Sequence, residues 1–157
     1  MRIREATGSD IPLLSSHHRK MFEEIWQTRG EDIDDLRFAE IEKAYVPKLH
    51  RQLYDGSCKA WVIEDKPRVI ASGAISIVSF VPNPQDLCSN VAYLHSMYTE
   101  KDQRKNHCAN RIIEQALQYC KAKGIRRIIL NASEAGRPIY EKFGFQPASD
   151  MMRLLME

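Results

Sequence analysis

The sequence has no glycine between Gly73 and Gly124. The Walker pattern GxxxxGK(S/T) and the dinucleotide pattern GxGxxG are both absent. Nucleoside triphosphates and dinucleotides therefore lose the motifs that usually hold their phosphates. Any phosphate site in this chain has to be built in another way.

The four cysteines, at positions 58, 88, 108 and 120, form no CxxC pair. Their wide spacing argues against a zinc site. The adjacent His107 and Cys108 are poor partners for one metal ion, so we predict no metal centre. A disulfide framework is not expected in a chain without an export signal, and the cysteines are interpreted as free thiols.

Long apolar runs are also missing, since none approaches the ~20 residues that cross a bilayer. No membrane partner is therefore expected. The stretch Met1-Arg-Ile-Arg-Glu-Ala6 lacks the apolar region of a signal peptide, and the expected compartment is the cytoplasm. The length of 157 residues predicts that residues 1–157 form one domain. The net charge of +2 does not by itself indicate binding to nucleic acid.

A basic loop joins an apolar run, Val91–Thr99, to an amphipathic run from about Cys108 to Lys121. The loop contains Lys101, Arg104 and Lys105. Backbone N–H groups in the first turn of a helix have no partners, and the helix dipole makes that end positive. We predict that a phosphorylated cofactor binds here. The alternative is that the loop is only a solvated connection between the strand and the helix.

The remaining patterns predict a mixed α/β chain. Predicted strands are Arg2–Ala6, Ala60–Glu64, Val69–Val81 with a bend or bulge at Gly73, Val91–Thr99, Arg126–Asn131, Phe145–Pro147 and Met151–Met156. Predicted helices are Ile11–Arg29, 33–54 interrupted or kinked at Pro47, 108–121, and a short one from Ser133 or Glu134 to Lys142. Short turns favour antiparallel pairing of the first three strands, and the intervening helix makes strands four and five parallel.

The order of elements and three stretches resemble the GNAT superfamily of acyl-CoA-dependent N-acetyltransferases. The first, Tyr98-Thr-Glu-Lys-Asp-Gln-Arg-Lys-Asn-His-Cys-Ala-Asn-Arg-Ile112, is similar to the R/Q-x-x-G-x-G/A signature, with Arg104 first and Ala109 last. The second, 124–133, resembles the fifth strand and its polar exit. The third, Gly136-Arg-Pro-Ile-Tyr-Glu-Lys-Phe-Gly-Phe145, is similar to the ending A-x-x-L-Y-x-x-x-G-F. The likeness covers essentially the whole chain.

One position departs from the signature, because its middle glycine is His107 here. Glycine at that place lets the backbone approach the pyrophosphate. A histidine can still offer its backbone N–H, provided that its dihedrals are helical.

The resemblance implies an α/β (α+β) fold: a mixed, mostly antiparallel sheet of six to seven strands, with splayed parallel strands four and five, flanked by about four helices. It implies that acetyl-CoA is the co-substrate and that the acetyl group passes directly to a primary amine of a small molecule or peptide in a ternary complex. The residues implied to hold the cofactor are Met97, Tyr98, Thr99, Arg104, Lys105, Asn106, His107, Cys108, Ala109, Asn131, Ser133, Arg137 and Tyr140. A backbone N–H at Met97 or Thr99 would polarise the thioester carbonyl.

For catalysis, the resemblance implies that Tyr140 is the general acid that protonates the leaving thiolate, the alternative being a tyrosine that packs the short helix onto the sheet. His95 stands where relatives often carry a basic glutamate, and base and structural histidine remain equal interpretations. Alternation along the strand would place His95 on one face with Met97 and Thr99. Trp26 and Tyr45 line the acceptor pocket or pack in the core.

Other interpretations remain open. An acidic cluster attracts a cationic amine or is a solvated surface; its members are Glu31, Asp32, Asp34, Asp35, Glu40 and Glu42. The fold could act as a non-catalytic acyl-CoA-binding module. Nucleic-acid binding would use Lys101, Arg104, Lys105, Arg111, Arg126 and Arg127, and the acidic cluster argues against it. Apolar strand edges at the C-terminus leave pairing into a homodimer open.

Overall fold

The computed structural model describes residues 1–148 and 150–157. The strands are β1 (Arg2–Glu5), β2 (Cys58–Asp65), β3 (Arg68–Ser79), β4 (Asn90–Thr99) and β5 (Arg127–Leu130). The helices are α1 (Ile11–Arg29), α2 (Asp35–Asp55), α3 (Cys108–Ala122) and α4 (Arg137–Lys142). The strands form one sheet in the order β1-β2-β3-β4-β5, antiparallel except for the parallel pair β4–β5. The predicted mixed fold is confirmed.

The strand count differs from the prediction, because the sheet has five strands within the described residues rather than six to seven. Residues 145–147 and 151–156 form no strand there. Met152 and Leu155 are 95% and 91% exposed, so they pack on no neighbour. A strand is stabilised by packing against an adjacent strand more than by intrinsic propensity. The apolar C-terminal strand edges that left a homodimer open are therefore not formed.

The helices cover both faces of the sheet. Residues of α1 and α2, such as Leu14 and Leu49, pack with Val62 on one face. Residues of α3, such as Ile112, pack with Ile63 on the other face. Adjacent residues of one strand thus face opposite helices, as the pleat of a strand requires.

Helix α1 agrees with the sequence-based expectation, whereas helix α2 differs from it at Pro47. Helix α1 ends as predicted, at Gly30, whose φ of 68° is the left-handed value that glycine adopts freely. Helix α2 begins after Asp34, whose carboxylate accepts the Leu36 N–H at 3.0 Å. It then runs through Pro47 without interruption, so the predicted interruption is wrong, and the alternative of a kink stays a prediction. Pro47 is exposed, and water can reach the carbonyl that loses its N–H partner there.

A β-bulge in β4 changes which residues share a face. Ser72 is paired with Tyr98 and Ala74 with His95, so Gly73 lies opposite both Ser96 and Met97. A Cβ on Gly73 would lie 2.3 Å from Met97 Sδ, and glycine is therefore needed for this close approach. The irregularity predicted at Gly73 is confirmed, with the extra residue on the partner strand.

The bulge overturns the predicted alternation along β4. Met97 packs with the α3-side core, whereas His95 and Ser96 both contact Tyr45 on α2. Strict alternation had placed His95 and Met97 on one face. The extra residue shifts the pattern, and Ser96, with φ of 57°, joins His95 on the α1–α2 side.

Candidate functional site

The sheet opens between β4 and β5. Their parallel register runs from Val91–Arg127 to Leu94–Leu130 and then stops, while β4 continues to Thr99. We call the unpaired β5 side of residues 95–99 the open seam. An unpaired strand edge presents N–H and C=O groups to any extended ligand that enters it.

The loop between β4 and α3 has unusual backbone geometry at two non-glycine residues. Lys105 has φ of 72°, and His107, immediately before α3, has φ of 57° and ψ of 22°. These are left-handed helical values, and His107 therefore holds the conformation that glycine normally supplies. Its side chain is exposed and makes no cap bond to the helix, so the histidine is tolerated rather than required.

His107→Gly is expected to increase the free energy of unfolding by about 0.5–1 kcal/mol, because glycine removes the left-handed strain. Urea unfolding measures the change. Asn106→Gly is the matched control: Asn106 is exposed and its φ is not positive, so the same substitution should destabilise the protein. Equal loss of stability in both variants would contradict the strain at His107.

The guanidinium of Arg104 already has hydrogen-bond partners within the protein. Its Nη2 donates to both carboxylate oxygens of Glu24 on α1, at 2.8 and 2.6 Å, and its Nε donates to the Thr99 carbonyl at 3.2 Å. The guanidinium also lies over the Tyr98 ring, 6.0 Å from its centroid. The predicted phosphate contact of Arg104 therefore competes with Glu24, and the exposed Lys105 is the other cation of the loop among the predicted cofactor residues.

On the β5 side of the seam, the predicted cofactor residues have local partners. Asn131 donates its amide N–H to the Tyr93 hydroxyl at 2.8 Å. The Ser133 hydroxyl accepts the Gly136 N–H at 3.1 Å and so stabilises the turn before α4. Arg137 is exposed at the start of α4. The structure thus gathers these residues at the end of β5, and their contacts with a cofactor stay predictions.

Tyr140 lies on α4, which begins later than predicted, at Arg137. Its ring packs edge-on against Phe145, with centroids 5.9 Å apart, and against the core that contains Leu94 and Leu130. Burial, followed by the proximity of Tyr93, raises the pKa of Tyr140 to about 12. The phenol therefore keeps its proton at neutral pH, as a general acid must.

Both ring nitrogens of His95 are occupied. Nε2 lies 2.8 Å from the Ser76 hydroxyl, which accepts a bond from Lys48 Nζ at 3.1 Å. Nδ1 lies 2.8 Å from the Ser96 hydroxyl. The Tyr45 hydroxyl also lies 3.5 Å from Nδ1, so His95 can exchange a proton with an acceptor only through a serine or this tyrosine. Its predicted role as the base stays a prediction, in this indirect form.

Ser96 joins the two helices to the bulge. Its hydroxyl donates to Tyr45 OH at 3.1 Å and lies 2.8 Å from Nδ1 of His18 on α1. The His18 ring stacks on Tyr45, with centroids 4.0 Å apart, and meets Phe22 edge-on at 5.0 Å. Tyr45 is only 5% exposed and belongs to the core, whereas Trp26 is half-buried beside Phe22.

The histidines of this region are held neutral. Burial lowers the pKa of His17 and of His18 to about 4 and that of His95 to about 3, with the Lys48 charge adding to the effect on His18 and His95. The His17 ring is closed off from solvent. Its Nδ1 lies 2.8 Å from Ser72 Oγ. Its Nε2 has no hydrogen-bond partner among the described residues, although Glu100 Oε1 is 3.4 Å away.

Sequence reasoning missed His18, Ser96 and Lys48. For His18 the sequence predicts only a place within the helix Ile11–Arg29, because the signal for its role is a contact with a residue 78 positions away. Of the acidic cluster, Asp34 caps α2 and Glu40 and Glu42 form ion pairs with Arg37 and Arg19.

Every helix in residues 1–148 and 150–157 is too short or too polar to traverse a bilayer. In the same part of the chain, His, Cys, Asp and Glu side chains form no group of three that could hold a metal ion.

Comparison with known proteins finds similar proteins over almost the whole chain. The model of the acetyltransferase (GNAT) family matches residues 14–145. A predicted acetyltransferase from Clostridium acetobutylicum, solved with acetyl-CoA, is 27% identical, with a TM-score of 0.84 over 98% of this chain and 95% of that one. A GCN5-related N-acetyltransferase from Ralstonia eutropha is 24% identical (TM-score 0.87, covering 98% and 97%) and shares the fold. Glucosamine-6-phosphate N-acetyltransferase from Arabidopsis thaliana also shares the fold (19%, TM-score 0.62, covering 99% and 98%). A search of curated proteins finds no match.

Proposed function

The chain belongs to the acetyltransferase (GNAT) family, and on this premise we propose that it transfers the acetyl group of acetyl-CoA to a primary amine of a small molecule or peptide. The amine attacks the thioester directly, with both substrates bound. The observation that carries this proposal is the open seam, which ends beside a left-handed turn at a helix N-terminus and has Tyr140 at its β5 side. A seam of that kind accepts an extended thioester arm with its phosphates at the helix.

In the proposed complex, the pyrophosphate lies over residues 104–109, where the backbone turns into α3. Residues Met97 to Thr99 offer main-chain groups to the pantetheine arm along the open seam. The bulge residues have no partner in the β3–β4 register, which supports a free N–H of Met97 as the donor to the thioester oxygen. Asn131 and Ser133 would meet the arm from the β5 side.

In the proposed reaction, the amine nitrogen attacks the acetyl carbon and the thiolate leaves. Tyr140 donates its phenolic proton to the thiolate, and burial keeps that proton in place at neutral pH. His95 acts through Ser96, whose position at the bulge it helps to hold. The exposed carboxylates Glu31, Asp32 and Asp35 of the α1–α2 connection favour a cationic acceptor.

Two measurements test the proposal. Calorimetric titration with acetyl-CoA and with desulfo-CoA measures cofactor binding, and thiol release in the presence of phenethylamine, spermidine and lysine methyl ester measures transfer. We expect binding and amine-dependent thiol release. Binding without release for any of a wide panel of amines would favour the non-catalytic acyl-CoA-binding module, and absence of binding would contradict the proposal.

Glu24→Gln is expected to tighten acetyl-CoA binding about two- to five-fold, because Arg104 no longer has to leave a carboxylate to meet a phosphate. Glu23→Gln is the matched control, since the neighbouring Glu23 bonds Arg19 rather than Arg104 and the charge change is identical. Calorimetry at low salt measures both. Weaker binding in Glu24→Gln would show that the ion pair orders the loop for the cofactor.

A further inference from the structure

The acceptor amine must lose a proton, and the structure points to a residue that can take it. We propose that His18, through Nε2, is the general base, a role that rests on the proposed acetyl transfer. The amine nitrogen bonds to the acetyl carbon, the carbon–sulfur bond breaks, and the thiolate takes the proton of Tyr140. His18 takes the proton of the amine, and solvent returns it from imidazolium to phenolate.

His18 lies next to the bulge of β4. His18 lies on α1 over β4, with Nδ1 only 2.8 Å from the hydroxyl of Ser96, a bulge residue. Ser96 precedes Met97 in the open seam, where the thioester carbonyl would be polarised. An imidazole bonded to Ser96 therefore lies on the α1–α2 side of the reacting centre, opposite α3.

Proton counting gives the tautomer. The Ser96 hydroxyl has one proton and two lone pairs, and its proton points to Tyr45 OH. The Nδ1 atoms of His18 and His95, both 2.8 Å away, must then each donate to Ser96. A neutral imidazole carries one N–H. His18 Nε2 is therefore left with its lone pair, which is the form a base requires.

Access and rigidity support the same role. His18 is half-buried, and Nε2 bonds no residue that the structure describes; unlike His17 Nε2, it is not sealed from solvent. Stacking on Tyr45 and an edge contact with Phe22 hold the ring in place. Burial and the Lys48 charge keep the ring unprotonated at neutral pH.

Neighbouring groups are less suitable. His95 has serines on both nitrogens. Glu100 is committed to Lys20, at 2.8 Å. The titratable groups that face His18 are Tyr45 and Lys48 from α2 and His95 from β4, and burial raises the pKa of Tyr45 far above neutrality.

The first test needs no acceptor. Nitrogen-15 NMR of the imidazoles in the full chain distinguishes protonated from unprotonated ring nitrogens. We expect His18 and His95 to be protonated at Nδ1 at pH 7. A proton on His18 Nε2 would overturn the proposal, whatever the enzyme acetylates.

The second test compares His18→Asn with His17→Asn, using thiol release from acetyl-CoA with the amines named above. An asparagine amide can replace Nδ1–H toward the serine but offers no base at the Nε2 position. For His18→Asn we expect kcat/KM for the amine to fall about 10²–10⁴-fold at pH 7. His17→Asn, whose parent residue bonds Ser72 in the same way, should keep the parental kcat/KM.

Imidazole added to His18→Ala should restore part of the rate, which a structural role would not allow. Thermal unfolding checks that each variant is folded. Unchanged kcat/KM in folded His18→Asn, with an active parent, would overturn the role of His18 alone. A parent that acetylates no amine would overturn the proposed function and this role with it.

Discussion

Tyr140→Phe is expected to lower kcat for acetyl transfer by about 10²–10⁴-fold, with little change in the affinity for acetyl-CoA. The lost hydroxyl would act only as the thiolate leaves, and an interaction made only in the transition state affects kcat more than ground-state binding. Phenylalanine retains the ring that packs against Phe145 and the core. Steady-state thiol release and calorimetry together separate the two quantities.

Tyr119→Phe provides the control for this substitution. Tyr119 lies on α3 beside Trp61, and its loss of a hydroxyl should leave kcat unchanged. Because the pKa of Tyr140 is about 12, titration of this phenol should cause no alkaline fall in rate below pH 11. A Tyr140→Phe variant with parental kcat would remove Tyr140 from the mechanism, although the fold and the cofactor site would stand.

The sequence predicts the parts of this molecule that depend on local pattern. Apolar residues at helical spacing placed α3, and Gly30 placed the end of α1. The long helical connection between Thr99 and Arg127 required β4 and β5 to be parallel. The basic loop at the start of α3 was found because charge and the order strand–loop–helix are both visible in one short stretch.

The local pattern fails where one residue changes the phase of a strand. Alternation placed His95 with Met97, and the bulge at Ser96 separates them. Nothing in the run Val91–Thr99 marks a bulge, and its cause lies in the other strand, where Gly73 leaves room for Met97 and Ile112. The expected neighbours of His95 depended on that phase, whereas its role as the base stays a prediction.

Contacts between distant segments are the second feature that a local pattern does not reveal. Arg104 is predicted to contact the phosphates of the cofactor, and Glu24, 80 residues earlier, accepts its guanidinium. The two residues are brought together by packing of α1 on β4, which has no local signature. Spacing in the sequence indicates which side chains a segment presents, but opposite charges on another element decide whether those side chains are free.

Acidification is expected to unfold the protein well above the range in which carboxylates titrate. His17, His18 and His95 have folded pKa values of about 4, 4 and 3, lowered chiefly by burial, whereas an unfolded histidine titrates near 6.5. The unfolded chain therefore binds more protons below pH 6.5. The stabilising effect of the neutral histidines is complete above pH 6.5 and is lost as the pH falls toward 4.

The free energy of unfolding is expected to change steeply with pH. Each histidine contributes about 1.4 kcal/mol per pH unit, or about 4 kcal/mol per pH unit for the set, against a typical domain stability of about 5–15 kcal/mol. Asp10, whose pKa is lowered chiefly by its bond to Arg4, stabilises the fold above its ordinary value of 3.8 and adds to the loss only at lower pH. Urea unfolding at a series of pH values between 7 and 4.5 measures the slope.

His17→Asn should reduce this slope by about a third, because it removes one buried imidazole while an amide can still bond Ser72. His50→Asn, which replaces an exposed histidine of α2, is the matched control. A stability that stays level from pH 7 to 4.5 would mean that these imidazoles gain protons within the native fold. His18 would then be a histidine that titrates in place, and the acidic limb of the rate profile would report its protonation without any loss of structure.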